Sequence, residues 1–157
     1  MGGTLPVPDL STVSFLRLPS GEGLPLPARA TSGAAGYDLA CAEAEVVIPP
    51  GQRRLVGTGF AVALPPGVEG QVRPRSGLAL RHGITVPNSP GTIDPDYRGE
   101  IRVILLNLGS EPVTFQRGDR VAQLLFTPFL TPTLVEVDTL PPTGRGERGF
   151  GSTGKTG

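Results

Sequence analysis

A chain of 157 residues is long enough for one compact domain, and its formal net charge of zero supplies no field to draw it onto nucleic acid or an anionic membrane. Glycine (23) and proline (18) make up about a quarter of it, yet 38% of residues are hydrophobic, in short β-branched runs that argue against wholesale disorder. No apolar stretch approaches a membrane span, so neither a nucleic-acid nor a membrane partner is expected.

In chain order, residues 1–11 are polar and proline-bearing and predict a frayed N-terminus. The opening MGGTLPVPDLSTVSF lacks the basic-then-apolar order of a signal peptide, and Cys41, the single cysteine, has no partner for an internal disulfide. A cytoplasmic protein follows as the expectation, with Cys41 a buried, inert thiol among Leu39, Ala40 and Ala42. VSFLRL (13–18) predicts a first strand, and the prolines of PSGEGLPLPARATSGAAG block helix and predict turns and extended chain. Further strands are expected at 45–48, 54–64, 70–73, 84–86, 100–107, 113–115, 120–127 and 133–137, each closed by a breaker such as PPG, RHG or LGSEP. In the 54–64 run, Phe60, Val62 and Leu64 alternate with small residues, the period of a strand with one packed side. SGLALRH (76–82) is the sole helix candidate, with Ser76 as its N-cap. The predicted fold is all-β, a distorted jelly-roll or β-clip barrel of short antiparallel strands. It would occupy residues 12–140, followed by a glycine-rich arm over 141–157 that cannot bury enough surface to order alone.

The arm holds GFGSTGKT (149–156), which fits the phosphate-binding pattern G-x-x-x-x-G-K-T. That pattern works only with a strand before the glycines and a helix after them. Here LPPTGRGERG precedes and Gly157 alone follows, so a P-loop fold is not expected. The arm still sets Arg145, Arg148 and Lys155 against one acid, Glu147. It suits a flap that orders over a polyphosphate, the alternative being a solvated tail with incidental charge.

Within the body, NSPGTIDPDYRGE (88–100) predicts a hairpin that Thr92 and Ile93 enter and IRVILLN leaves. Asp94 at its mouth could take a proton from water, whereas Asp96 reads as a turn former. PRSGLAL (74–80) puts Arg75 and Ser76 before a helical turn with free N–H groups, an arrangement for phosphate oxygens or a plainly capped turn. In RGDRVAQLLF (117–126), Gln123 sits among apolar neighbours and requires a polar partner.

Taken in order, AAGYDLA (34–40), PRSGLAL, NSPGTIDPDYRGE, RGDRVAQLLF and RGERGFGSTG closely resemble the five motifs of the trimeric deoxyuridine triphosphatases, over about residues 21–154. That resemblance implies an all-β enzyme cleaving dUTP to dUMP and pyrophosphate with Mg²⁺, removing dUTP and supplying dUMP for dTMP synthesis. It implies Asp94 as the general base, and Tyr97 as the tyrosine under the deoxyribose, although a core aromatic fits Tyr97 equally well from the residues alone. Uracil would be read by Asn88, Thr92, Ile93 and backbone near Arg102, with Phe150 stacked on the base. Arg75, Ser76, Gly77, Gln123, Arg145, Gly151, Ser152 and Thr153 would contact the phosphates; for Gln123 a hydrogen bond to a neighbouring loop fits as well. Asp38 would hold Mg²⁺ through water, since a triphosphate supplies most of the ligands. The resemblance further implies a homotrimer whose sites are shared between subunits. Where the family often reads R-G-x-G-G-F-G, Arg148 replaces the first glycine of the pair, which is harmless unless that position needs a positive φ. A dCTP deaminase and a non-catalytic dUTP-binding module are the rival readings.

Overall fold

The computed structural model describes residues 11–155, and residues 1–10 and 156–157 lie outside it. Ten strands and one short helix follow in the order β1 (Ser14–Arg17), β2 (Tyr37–Ala40), β3 (Glu45–Ile48), β4 (Arg53–Ala63), β5 (Val68–Arg73), α1 (Ser76–His82), β6 (Ile84–Thr85), β7 (Gly91–Ile93), β8 (Glu100–Asn107), β9 (Val113–Gln116) and β10 (Arg120–Pro128). They form a sheet β1-β4-β8-β6, a second sheet β2-β10-β5-β7, and a ribbon β3-β9, with every pairing antiparallel. This is the all-β jelly-roll architecture that the turn-rich composition predicts.

Alternation decides which side of each strand faces the core. Along β8, Ile101, Val103, Leu105 and Asn107 point inward while Arg102 stays exposed. Val46 and Ile48 of β3, Val56 and Val62 of β4, and Leu39, Val72 and Leu124 close the same core. Full burial of one such side chain contributes about 1.5–3 kcal/mol. The buried Asn107 is satisfied: its amide donates to the Ile48 and Glu111 carbonyls (2.8 Å each), and its Oδ1 accepts from the Gly109 N–H (2.8 Å).

Two close approaches depend on glycine. At Gly59, in the register shift of β4, φ is 79° and a Cβ would come within 2.7 Å of the Gly21 nitrogen. At Gly83, φ is 69°; the residue closes α1 through its N–H to Ala79 (3.0 Å), and a Cβ would lie 2.5 Å from the Gly109 nitrogen.

Four local expectations differ from the structure. Tyr37–Ala40 is a strand that the sequence pattern did not single out. Ser76 is the first helical residue and Arg75 takes the N-cap position, with no side-chain cap bond. Residues 133–137 form no strand, since a strand needs a partner edge and this one has none among the described residues. The 88–100 segment is not a hairpin: β7 pairs with β5 while β8 pairs with β4 and β6, so the 94–99 loop arches from one sheet to the other.

Candidate active site

The register of the second sheet builds one cleft. Gln123 of β10 stands opposite Asp38 of β2 on one side and Arg73 of β5 on the other. Directly opposed residues of antiparallel strands share a face, so a carboxylate, an amide and a guanidinium line up across three strands. The chain leaving β5 adds Arg75, Ser76 and Gly77 at the start of α1, and these residues line a cleft of about 390 Å³ with Ala34–Gly36. Asp38 is bracketed by two arginines, Arg75 at 3.3 Å and Arg120 at 3.4 Å. The Gln123 amide donates to the Pro74 carbonyl (3.0 Å), which is the loop-bonding alternative for that residue, and its Oε1 packs where a side chain at Gly36 would sit. Arg73 and Arg120 were not among the sequence-expected residues. Arg73 is the last residue of β5, two positions before Arg75, and that nearness in sequence was the available signal.

A second cleft, also of about 390 Å³, is lined by Asn88, Thr92, Ile93, Asp94, Tyr97, Glu100 and Arg102. The whole base-and-sugar set except Phe150 therefore meets here. β7 pairs with β5 along one side and is the edge strand of its sheet, so its other backbone edge is available to a ligand. Asp94 is exposed at the start of the arch, its carbonyl accepting the Tyr97 N–H (3.1 Å). Tyr97 is half exposed and turns its hydroxyl back to the Glu100 carbonyl (2.9 Å).

The two clefts share no lining residue, and the arm joins neither. Arg145, Gly151, Ser152 and Thr153 surround a concavity of their own. Phe150 is fully exposed with φ of 52°. Arg148 does not have a positive φ; its guanidinium donates to the Gly144 (2.6 Å) and Arg145 (3.1 Å) carbonyls, so it folds the arm on itself. Among the described residues, 149–155 form turns and no helix, which is not the geometry of a P-loop.

Cationic, amide and hydroxyl donors gathered around one carboxylate, beside a free strand edge with an aspartate, make a surface for a phosphorylated nucleotide. Comparison with known proteins narrows this class to one family. The dUTPase family model matches residues 22–154, and the chain belongs to that family. Deoxyuridine 5'-triphosphate nucleotidohydrolases of Methylocella silvestris and Beijerinckia indica are 55% and 54% identical, covering 91% and 96% of both chains in each pair. The fold is similar to that of a mutant Staphylococcus bacteriophage 80alpha dUTPase with dUpNHpp, at TM-score 0.83 and 26% identity over 92% of this chain and 99% of that one. A mutant dUTPase from phage phi11 of S. aureus, described with a structural Mg(II) ion, matches at TM-score 0.73 and 26% identity, over 82% of this chain and 97% of that one.

Proposed function

We propose that this chain hydrolyses dUTP to dUMP and pyrophosphate, with Mg²⁺ as its metal, a shared site in a homotrimer, and a cytoplasmic setting. The observation that carries the reading is the division of labour between the two clefts. One offers an edge strand, Asn88, Tyr97 and a solvent-facing carboxylate; the other offers arginines, Ser76 and the start of a helix.

Asp94 accepts a proton from water as the oxygen attacks the α-phosphorus, and the bond to the β-phosphate oxygen breaks as pyrophosphate leaves. Thr92 and Ile93 offer backbone donors and acceptors to uracil along the free edge of β7. Cytosine presents an acceptor at N3 where uracil presents a donor, so the wrong base leaves buried groups unpaired. Tyr97 packs beneath the deoxyribose, and Arg102 and Asn88 border the base. Arg75 exchanges Asp38 for phosphate oxygens, Ser76 and Gly77 donate to them, and Gln123 steadies the loop at Pro74.

Asp38 fits the metal role: it is largely buried and lies in the phosphate cleft, and no group of three or more His, Cys, Asp or Glu occurs among the described residues to form a dedicated cage. Magnesium carried by the triphosphate would withdraw charge from the phosphates, with Asp38 holding its water shell.

Self-association is supported by two features. The base cleft, the phosphate cleft and the arm are three separate groups in one chain. Leu130, Leu134, Val135, Val137 and Leu140 are exposed by 57–92% along the segment leading to the arm, more apolar surface in a row than a monomer usually presents. Arg145, Gly151, Ser152, Thr153 and Phe150 would then reach the site of another copy.

The decisive experiment measures pyrophosphate release from dUTP, dCTP, dTTP and UTP with Mg²⁺, against Asp94→Asn. Release from dUTP alone, reduced about 10²–10⁴-fold in the variant, supports the reading. Binding of dUTP without release would make the protein a binding module. Ammonia from dCTP would make it a deaminase.

A further inference from the structure

We propose that Gly99 and Glu100 are positioning residues that fix the ring of Tyr97 and thereby set the choice between deoxyribose and ribose. The inference rests on the reading of Tyr97 as the surface beneath the sugar. An aromatic ring 45% exposed would ordinarily swing between rotamers. This one cannot do so freely. Its backbone N–H is held by the Asp94 carbonyl (3.1 Å), and its hydroxyl donates to the Glu100 carbonyl (2.9 Å).

Reaching Glu100 requires the ring to pass across residue 99. A Cβ there would meet the Tyr97 hydroxyl and lie 2.7 Å from Cζ and 3.0 Å from Cε2, too close for any side chain. Glycine is the residue that lets the hydroxyl fold back.

The carbonyl it reaches is itself anchored. Glu100 opens β8, and its carboxylate accepts from the Ser20 hydroxyl (3.3 Å) and pairs with Arg102 (3.5 Å). The carboxylate also covers Gly57, where a Cβ would come within 2.5 Å of Oε2. Asp94, Tyr97, Glu100 and Arg102 all line the same cleft. With the hydroxyl spent on backbone, what Tyr97 offers a ligand is a ring held in one place. A rigid wall rejects an added hydroxyl that a mobile wall would accommodate by retreating.

The test compares kcat/KM for dUTP and UTP in the full chain, Gly99→Ala, Tyr97→Phe, their double variant and Glu100→Ala. Tyr97→Phe keeps the ring and deletes only the hydroxyl bond. Each of the first two is expected to narrow the dUTP:UTP ratio about tenfold. The double variant should be no worse than the stronger single, because both act through one ring. Glu100→Ala keeps the carbonyl and loses the clamp, so about a threefold narrowing is expected; an unchanged ratio there would overturn its part.

A folded Gly99→Ala with the parent ratio would overturn the proposal, since a purely structural role moves Tm and not selectivity. If that variant fails to fold, Tyr97→Phe decides: a narrowed ratio supports the proposal and an unchanged one overturns it. A parent chain that releases no pyrophosphate from dUTP would overturn the functional reading and this inference with it. One that hydrolyses dUTP selectively while all variants match it would overturn the inference alone.

Discussion

The body up to Phe129 and the C-terminal segment beyond it, which ends in the arm, follow opposite physical rules within one chain. In the body, Leu39, Ile48, Val56, Leu105 and Leu124 are fully buried, and every strand has a partner. From Leu130 onward no strand forms, and every described residue is exposed except Gly149, which is partly covered. The body's apolar residues are buried in their own chain; those beyond Phe129, Leu134, Val135 and Phe150 among them, are exposed. The difference teaches that the contacts holding the fold and the cationic groups of the arm lie in separate parts of the chain. The body is held by its own buried contacts, and the arm makes only local hydrogen bonds such as those of Arg145 and Arg148.

That separation can be broken most sharply by deleting residues 144–157. Turnover of dUTP is expected to fall by about 10²–10³-fold, while Tm and the sedimentation of the assembly stay at parent values. Full activity in the truncated chain would end the flap reading. The reverse dissociation comes from Gly59→Ala, where a positive φ and the Gly21 backbone both oppose a side chain. About 2–4 kcal/mol of stability should be lost in urea unfolding, with kcat little changed in whatever remains folded at low temperature.

A smaller contrast comes from Cys41, fully buried, whose thiol pKa is raised above the ordinary 9.0 chiefly by burial. Alkylation by a maleimide at pH 8 should be slow in the folded body and become rapid in denaturant. The folded thiol holds its proton more tightly than the unfolded one. Its contribution is therefore complete below pH 9 and lost as pH rises through the folded value. Rapid labelling of native protein would mean the body opens where it is closed here. The smallest effect is expected from Arg148→Gly. It frees the arm of its own staple between Gly144 and Arg145, and KM should move by less than about threefold without any change in Tm.

How far the sequence could be read varied with how local the cause was. Ile101, Val103 and Leu105 declare their strand because alternation is written into consecutive residues. Ser76–His82 was legible only as a helical turn or two, and the cap expected at Ser76 is taken by Arg75. Tyr37–Ala40 does not, since four residues after a glycine-rich stretch carry too short a pattern and become a strand only by pairing with β10. The 133–137 run has the composition of a strand and no edge to join. The turn signals of Pro95 and Gly99 were legible as a reversal, but turn chemistry alone does not say whether the flanking strands pair with each other or depart to different sheets.

By itself the sequence determined the all-β class and the family through its five ordered motifs, because these are properties of residue type and short-range order. Only the tertiary structure decided that Asp38, Gln123 and Arg73 stand side by side, that Asp94 and Arg75 occupy different clefts, and that Tyr97 is tied back to Glu100. Those are matters of strand register and sheet topology. They depend on which distant segments pair, and no local pattern along a single chain encodes that choice.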